Sequence, residues 1–303
     1  MSHVDIAMAT YNGEAYIEEQ ICSIINQTHN DWTLYISDDG SSDLTTSIIE
    51  KYVLLDARIK LINKSKQGGV VRNFNKALEA TTADYIMLSD QDDFWYESKI
   101  ELLVNKISEV ESQSNSAVLI FSDLELVDEK LKTISHSFYE ANRINPLNNL
   151  DFNNLLWSSS VYGCSTIFNR KLLNKSLPFP SSLPMHDNWL ALNSATESGI
   201  YYYDIQTIKY RQHGRNVVGG GHKNIFGKIK NFKKSFINIL IATKKYKSML
   251  ESAKKIKGNE CLLNISFSGV KKISFCFKKI FPKIIYGNKR ILTFCMFVGM
   301  LLK

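Results

Sequence analysis

Short apolar runs alternate with segments of helical periodicity through the first 125 residues. The first run, at 4–9, ends in the polar turn 10–13, and Ile17, Ile21 and Ile24 follow at the spacing of one helix face. Strands alternating with helices of about ten or more residues are typical of an α/β fold with a doubly wound, mainly parallel sheet. The repeated pattern predicts strands at 32–37, 58–63, 84–89 and 117–124, and helices ending near Leu55, Ala80 and Val110.

The pattern is less regular beyond residue 125. It predicts a short helix at 151–157, a strand at 164–168, a helix at 186–197 and a last strand at 208–213. These elements continue the same domain.

Polar turns follow three of the predicted strands. Thr10, Tyr11 and Asn12 follow the first, Asp38-Asp39 the second, and the acidic segment 90–93 the fourth. Ligands of an open α/β sheet bind outside the carboxyl ends of the strands. We therefore expect these three distant segments to meet in one crevice.

The acidic turns suggest a cation. Carboxylates gathered at one sheet edge repel one another unless a cation or a hydrogen-bonding ligand lies between them. Asp90 and Asp92 suit a hard divalent ion, Mg²⁺ or Mn²⁺, whose remaining ligands are phosphate oxygens, so the ligand indicated is a nucleoside diphosphate. Two plainer interpretations stay open: acids at 90–93 are typical of a helix's first turn, and Asp38-Asp39 of a turn with an N-cap.

Other nucleotide-binding and hydrolase motifs are absent from the sequence. It contains no GxxxxGK[ST] phosphate loop, no GxGxxG after the first strand and no GxSxG elbow. P-loop NTPases, dinucleotide-dependent dehydrogenases and α/β-hydrolases are therefore not supported, and a site built from aspartates remains.

Four segments in order resemble the family 2 glycosyltransferases of the GT-A fold. They are MATYNGEAYIEEQICSIINQT (8–28), WTLYISDDGSSD (32–43), GGVVRNFNKAL (68–78) and SDQDDFW (89–95). SDQDDFW and YRQHGRNVVG (210–219) are also similar to bacterial enzymes of O-antigen, capsule or exopolysaccharide synthesis, including rhamnosyltransferases. The resemblance implies a GT-A catalytic domain at 1–221, with a nucleotide-binding half at 1–125 and an acceptor half at 126–221.

The resemblance also implies a donor site. Asp39 would accept a hydrogen bond from the N3–H of uracil or thymine, a role that suits an acceptor-only carboxylate. Arg72 is equally typical of a solvated helix face, and His213 of a structural histidine. The nucleotide-binding set implied is Thr10, Tyr11, Asn12, Asp38, Asp39, Arg72 and Asp90, and the metal-binding set is Asp90, Asp92 and His213.

Asp187 matches the family's general-base position. An inverting transfer needs a carboxylate that takes the acceptor hydroxyl's proton during attack on the anomeric carbon. Asp187 begins a predicted helix, where the dipole favours the ionised form, although a plain first-turn acid is the alternative. Residues assigned to acceptor, sugar or phosphate contacts are Asp93, Trp95, His186, Trp189 and Arg211.

The most informative feature of the composition is a concentration of basic residues near the C-terminus. Residues 222–303 hold 19 Lys and Arg against two acids, a net charge of +17, whereas residues 1–221 carry −10. Ile225, Ile229, Phe232 and Phe236 recur among lysines at helical spacing, which predicts a basic amphipathic helical tail. The final apolar run, 291–302, is shorter than the about 17–25 residues that span a bilayer.

The tail and the cysteines suggest a location. Basic helices with an apolar face suit the anionic cytoplasmic leaflet, although a nucleic acid or a merely solubilising tail are alternatives. Five cysteines without a CxxC pair and an N-terminus without a signal-peptide pattern fit a reducing cytosol. We therefore expect a cytoplasmic protein, peripheral on the inner membrane, with no nucleic-acid partner.

These observations lead to one expected activity. The protein would be an inverting glycosyltransferase that uses Mn²⁺ or Mg²⁺ and moves one sugar to a lipid-linked bacterial surface glycan. The resemblance favours dTDP-rhamnose as donor, with UDP-hexoses close behind. The alternative is a catalytically inactive nucleotide-sugar-binding scaffold at the membrane; a nucleotidyltransferase is disfavoured because 10–13 is not a glycine-rich, basic phosphate loop.

Overall fold

The computed structural model describes residues 2–155, 159–180 and 183–214, together with Phe277. Apart from Phe277, the predicted tail at 222–303 lies outside the described residues, so the prediction of a basic helix there stays a prediction. Within the described part of the chain, no helix is long and apolar enough to cross a membrane.

One mixed sheet of nine strands forms the centre of the described structure. Its strands are β1 Val4–Thr10, β2 Trp32–Asp38, β3 Ile59–Asn63, β4 Tyr85–Ser89, β5 Phe94–Trp95, β6 Leu119–Val127, β7 Thr133–Ser135, β8 Thr166–Asn169 and β9 Ile200–Arg211. Their order is β3-β2-β1-β4-β8-β6-β9-β5, with β7 added beside β6.

Helices cover both faces of this sheet, as in a doubly wound α/β domain. They are α1 Ile17–Ile25, α2 Thr45–Leu55, α3 Val70–Glu79, α4 Lys99–Glu111, α5 Phe138–Ala141, α6 Phe152–Leu155, α7 Arg170–Ser176 and α8 His186–Ala195. Two 3₁₀ turns, Pro146–Leu150 and Gly163–Ser165, lie between them.

The first half of the sheet agrees with the apolar pattern. β1 pairs in parallel with β2 and β4, and β2 pairs in parallel with β3. β1 is buried along almost its whole length, with α3 packed against it, and strands buried in this way appear in a sequence as near-continuous apolar runs. Each crossover helix then returns the chain to the same end of the sheet.

The second half departs from the pattern in several elements. β8 pairs antiparallel with both β4 and β6, whereas β9 pairs in parallel with β6. β9 begins at Ile200, eight residues before the predicted start, and the two-residue strand β5 was not predicted at all. A pair of residues has no readable period, and in β9 the tyrosines 201–203 break the alternation of apolar and polar positions.

Strand order fixes the position of the crevice. β2 and β4 flank β1, so the chain winds in opposite directions on its two sides, and the carboxyl ends of these strands border a gap. β9 leads to His213 close to the turn after β4. The fold therefore collects the predicted polar turns at one edge.

Candidate active site

A cavity of about 930 Å³ opens at this edge of the sheet. Its volume lies within the usual range of small-molecule sites, about 300–1,000 Å³. It brings together nine of the residues predicted from sequence: Thr10, Tyr11, Asn12, Asp39, Asp90, Asp92, His186, Asp187 and His213. The other predicted residues, Asp38, Arg72, Asp93, Trp95, Trp189 and Arg211, do not line it.

Asp38 holds the turn after β2 in shape. Its carboxylate accepts hydrogen bonds from the Thr10 hydroxyl at 2.8 Å, the Ser41 backbone N–H at 2.7 Å and the Ser41 hydroxyl at 2.6 Å. The side chain is buried, so a direct contact with a nucleotide is not available to it. The predicted binding role of Asp38 is corrected to a supporting one.

Asp39 reaches the cavity and also fixes the loop before α3. Its carboxylate accepts the backbone N–H groups of Gln67, of Gly68 at 2.8 Å and of Gly69 at 2.7 Å. Gly68 and Gly69 have φ of 86° and 120°, conformations that L side chains rarely adopt, so glycine is required at both positions. A carboxylate has about four acceptor positions, and Asp39 therefore keeps one for a ligand.

Asn73, in α3, is buried at this end of the cavity and lines it. Its amide donates to the Thr10 carbonyl at 3.0 Å and accepts the Ser37 hydroxyl at 2.7 Å. Arg72, one residue earlier on α3, is exposed and does not line the cavity. The inward side of α3 therefore presents an amide at the cavity, and the contact of Arg72 with a nucleotide stays a prediction.

Asp92, in the acidic turn, and His213, after β9, meet at the cavity. His213 Nε2 lies 2.8 Å from Asp92 Oδ2, and the His213 ring packs on Tyr16 with centroids 4.9 Å apart. Asp90 lines the same cavity. Two carboxylates and an imidazole nitrogen are a donor set that can bind a divalent ion and leave positions open for phosphate oxygens.

A second acidic cluster lies beside the Asp92–His213 pair. In it, the carboxylate oxygens of Asp90 and Asp93 and the sulfur of Cys164 lie within 4.8 Å of one another. Burial, followed by the charges of Asp92 and Asp187, raises the pKa of Asp90 to about 7. Burial, followed by the charges of Asp92 and Asp90, also raises the pKa of Asp93. Asp93, predicted as a ligand contact, is buried here and its Oδ1 accepts the Arg211 backbone N–H at 3.3 Å.

Lys99 supplies the cation for this buried cluster. Its side chain is 0% exposed, donates to the Cys164 carbonyl and lies 4.0 Å from the centroid of the Trp95 ring. Burial lowers the pKa of Lys99 to about 7. Because the buried Lys99 side chain already lies beside the inner cluster, the Asp92–His213 side is better suited to a divalent ion. Sequence reasoning missed Lys99, since lysine in a helix's first turn ordinarily indicates a solvated face.

Arg211 has a different role from the predicted phosphate contact. Its guanidinium donates to the carbonyl oxygens of Asp92 at 2.9 Å and Glu129 at 2.5 Å, and pairs with Glu19 at 2.5 Å. The side chain is 1% exposed. Arg211 therefore ties the acidic turn to α1 and to the loop after β6, and does not face a ligand.

Both predicted tryptophans lie in the core. Trp95 is fully buried beneath Lys99, and Trp189 donates its indole N–H to the Ser176 carbonyl at 2.9 Å. Large aromatic side chains supply much of the apolar area buried in a core, and these two pack there. The predicted sugar contacts are therefore corrected for both residues.

Asp187 lies in the first turn of α8 and lines the cavity. Its carboxylate accepts the backbone N–H groups of Gly163 at 3.3 Å and of Asn188 at 2.6 Å. Asp187 is close enough to Asp90 for its charge to raise the pKa of that carboxyl. The helix terminus and the donated N–H groups favour an ionised carboxylate at the cavity wall.

His186 stacks on Phe74 with ring centroids 4.0 Å apart, and burial lowers its pKa to about 3. The unfolded chain, with a histidine pKa near 6.5, binds a proton that the folded protein refuses until about pH 3. Stability should therefore fall as the pH drops below 6.5, by about 2 kcal/mol at pH 5 from this residue. Urea unfolding at pH 7 and pH 5 of the wild type and His186→Gln measures this difference, and equal losses in both proteins would contradict it.

The glycosyl transferase family 2 model matches residues 5–177, more than half of the chain. The chain is 31% identical over 228 residues to the dTDP-rhamnosyl transferase RfbG of Shigella flexneri, a match covering 70% of this chain and 73% of that protein. It is 30% identical over 178 residues to the Escherichia coli UDP-Glc:alpha-D-GlcNAc-diphosphoundecaprenol beta-1,3-glucosyltransferase WfgD, covering 58% of this chain and 64%, just under two thirds, of that protein.

Solved structures show the same fold at lower identity. S. aureus TarS in complex with UDP-GlcNAc superposes with a TM-score of 0.56 and 18% identity, covering 98% of this chain and 81% of that one. The mannosyltransferase PcManGT of Pyrobaculum calidifontis, in complex with GDP-Man and Mn2+, gives a TM-score of 0.53 at 15% identity, covering 99% of this chain and 87% of that one. The GT-A arrangement expected from the sequence is confirmed.

Proposed function

Since the chain belongs to glycosyl transferase family 2 and is a glycosyltransferase, we propose that it transfers one sugar, with inversion, from a nucleoside diphosphate donor to a lipid-linked glycan acceptor. One observation carries the proposal. A single cavity holds the turn after β1, the Asp90–Asp92 turn with His213, and the Asp187 carboxylate. These are the groups needed to bind a base, hold a diphosphate and take a proton.

The base of the donor would bind between the turns after β1 and β2. The acceptor position left on Asp39 suits the N3–H of a uracil or thymine, and the exposed Tyr11 ring offers a flat surface for stacking. Asn73 and Asp38 hold these turns from below. Asp90 would lie towards the ribose.

Asp92 and His213, 2.8 Å apart at the cavity wall, would hold a divalent ion, Mn²⁺ or Mg²⁺, together with Asp90, which lines the same cavity. When bound, such an ion neutralises charge on the diphosphate leaving group. Lys99 and Arg211 contribute indirectly, since they fix the turn that carries these ligands.

Asp187 would act as the general base. An acceptor hydroxyl attacks the anomeric carbon, a new glycosidic C–O bond forms, and Asp187 takes the hydroxyl proton. The bond from the anomeric carbon to the diphosphate oxygen breaks at the same time, and its electron pair leaves with the diphosphate. Attack from the face opposite the leaving group inverts the configuration at the anomeric carbon.

The relatives suggest the donor and the acceptor. RfbG carries a dTDP-rhamnosyl name, so dTDP-rhamnose is the leading donor, and UDP-hexoses remain close behind because the WfgD name specifies UDP-Glc. The WfgD name also specifies an acceptor on diphosphoundecaprenol, a lipid carrier. A lipid-linked acceptor would suit an enzyme held on the cytoplasmic face of the inner membrane by the basic segment 222–303.

We expect Asp92→Ala to abolish Mn²⁺-dependent stabilisation by UDP or dTDP while the protein stays folded. A ligand that binds only the folded state raises the unfolding temperature with its occupancy, so thermal unfolding with Mn²⁺ and each nucleotide reports binding. Asp84→Ala is the matched control, because Asp84 is exposed and precedes β4 at its opposite end.

The wild-type protein should lose the stabilisation when EDTA is added. Unchanged nucleotide affinity in Asp92→Ala would remove Asp92 from the metal site. No response of the wild type to UDP, dTDP, GDP or CMP would count against the donor site and favour the inactive scaffold.

A further inference from the structure

Gln91, the residue between Asp90 and Asp92, bridges two walls of the cavity. Its amide oxygen accepts the Tyr11 backbone N–H at 2.8 Å, and its amide nitrogen donates to the Tyr11 carbonyl at 3.0 Å. One side-chain amide therefore satisfies both backbone groups of a residue 80 positions away, as a neighbouring strand would. We call this pair of hydrogen bonds the Gln91 latch.

The latch depends on a glycine at position 13. A Cβ on Gly13 would lie 2.3 Å from Gln91 Oε1 and 2.4 Å from its Cδ, which is closer than side chains can approach. The φ of Gly13 lies outside the positive range, so its backbone would accept alanine. The obstacle to a side chain at this position is the Gln91 amide, the movable end of a flexible side chain.

The turn held by the latch is the one proposed to receive the base. Tyr11 is 56% exposed at the cavity, and the following residue, Asn12, has a φ of 46°, which is uncommon for a residue other than glycine. Asn12 is held on its other side by Ser41 and Ser42, through hydrogen bonds of 2.8 Å and 2.9 Å. Gln91 fixes the same turn from the side on which the proposed metal ligands lie.

We infer that Gln91 is a positioning residue: its amide fixes the Tyr11 turn against the acidic turn, so that the Tyr11 ring is ordered for stacking before the donor binds. Pre-organised binding loops raise affinity because less freedom is lost on binding. This inference rests on the proposed donor site. Gln91 would raise the affinity for the nucleotide indirectly, by fixing the position of Tyr11.

A double-mutant cycle of Gln91→Ala and Gly13→Ala tests the latch. Each single variant should bind UDP or dTDP with Mn²⁺ roughly tenfold more weakly, because each removes the hydrogen bonds to Tyr11. The double variant should also lose only about tenfold in nucleotide affinity. Once residue 91 is alanine, the Gly13→Ala side chain has no Gln91 amide to displace, so the two changes should not add. Losses that multiply to about a hundredfold, or a Gln91→Ala variant with wild-type affinity, would overturn the inference.

A ligand without a base separates a latch from direct contact with the diphosphate. Binding of inorganic pyrophosphate with Mn²⁺ should stay unchanged in Gln91→Ala, and an equal loss for pyrophosphate and nucleotide would overturn the inference. Gln113→Ala, at an exposed glutamine after α4, is the matched control and should bind both ligands as the wild type does.

A further measurement does not depend on the function. The Tyr11 amide hydrogen should exchange with solvent at least about tenfold faster in Gln91→Ala and in Gly13→Ala, because its acceptor has been removed. Unchanged exchange would overturn the latch itself. Faster exchange in a protein whose wild type binds no nucleotide would support the latch and count against the proposed donor site.

Discussion

Asp187→Asn should lower kcat by about two to four orders of magnitude, because a positioned general base contributes about 10²–10⁴-fold to such a step. Asparagine keeps the size of the side chain and one oxygen, which can accept either the Gly163 or the Asn188 N–H, so α8 should stay folded. Donor affinity should change by less than about threefold, since Asp187 acts on the acceptor hydroxyl. Steady-state kinetics with the donor and a lipid-linked acceptor, combined with nucleotide titration, separates the two effects.

The matched control is Asp128→Asn, which changes an aspartate whose carboxylate accepts backbone N–H groups in the loop between β6 and β7. It should retain kcat within about a factor of two, as expected for a change outside the site. An Asp187→Asn variant with near-native kcat would refute the general-base assignment. A loss of nucleotide affinity equal to the loss of kcat would place Asp187 in the donor site instead.

Lys99→Met should lower the free energy of unfolding by about 1–3 kcal/mol near pH 7, because it leaves the buried Cys164 carbonyl without its donor and removes a cationic group near Asp90 and Asp93. Burial lowers the pKa of Lys99 and raises the pKa of Asp90, each to about 7, so both groups change charge near neutral pH. Methionine matches the length of the stem but leaves Asp90 and Asp93 without a counter-ion. Urea unfolding followed by circular dichroism measures the loss.

Lys106→Met is the matched control for this prediction. Lys106 lies on the same helix, α4, and forms an ion pair with Glu109 at 2.9 Å on the partly exposed side. Such surface pairs contribute about 0–1 kcal/mol, so the control should stay within that range. A loss below about 1 kcal/mol in Lys99→Met would show that the acidic cluster needs no internal cation.

The Lys99→Met variant should also bind Mn²⁺ more weakly, because Lys99 affects the protonation of Asp90. Without the ammonium group, Asp90 should hold its proton more firmly, and a protonated carboxyl is a poor metal ligand. Mn²⁺ should therefore bind more weakly to Lys99→Met than to Lys106→Met in the presence of UDP. Equal affinities would separate the role of Lys99 in stability from the metal site.

The parallel part of the fold was predictable because its signal is local. The strands at 4–9, 32–37, 58–63 and 84–89 are apolar runs of ordinary strand length, and each is followed by a polar turn and a helical period. The antiparallel insertion of β8 between β4 and β6 was not predictable. The direction of a strand in a sheet depends on which distant strands pair with it. The four residues of β8 do not indicate that its partners are β4 and β6.

The candidate site also contains residues that the sequence could locate and residues whose role only the structure shows. The sequence located Thr10, Asp39, Asp90, Asp92 and Asp187 because polar residues directly after strands must lie at the sheet edge, and because the resemblance assigned them roles. It could not tell which polar side chains face the cavity and which support it from behind. Asp38, Asp93 and Arg211 belong to the second group, and their hydrogen bonds show why.

The sequence by itself determined the family, the crossover topology of the first half and the position of the acidic turn, because all three depend on residue order along a short stretch of chain. Only the tertiary structure decided that Lys99 is buried beside the aspartates, that Trp95 and Trp189 are core residues, and that Gly13 faces the Gln91 amide. Each of these depends on two segments that are distant in sequence meeting at contact distance. Burial and contact are properties of that meeting, and no single segment encodes them.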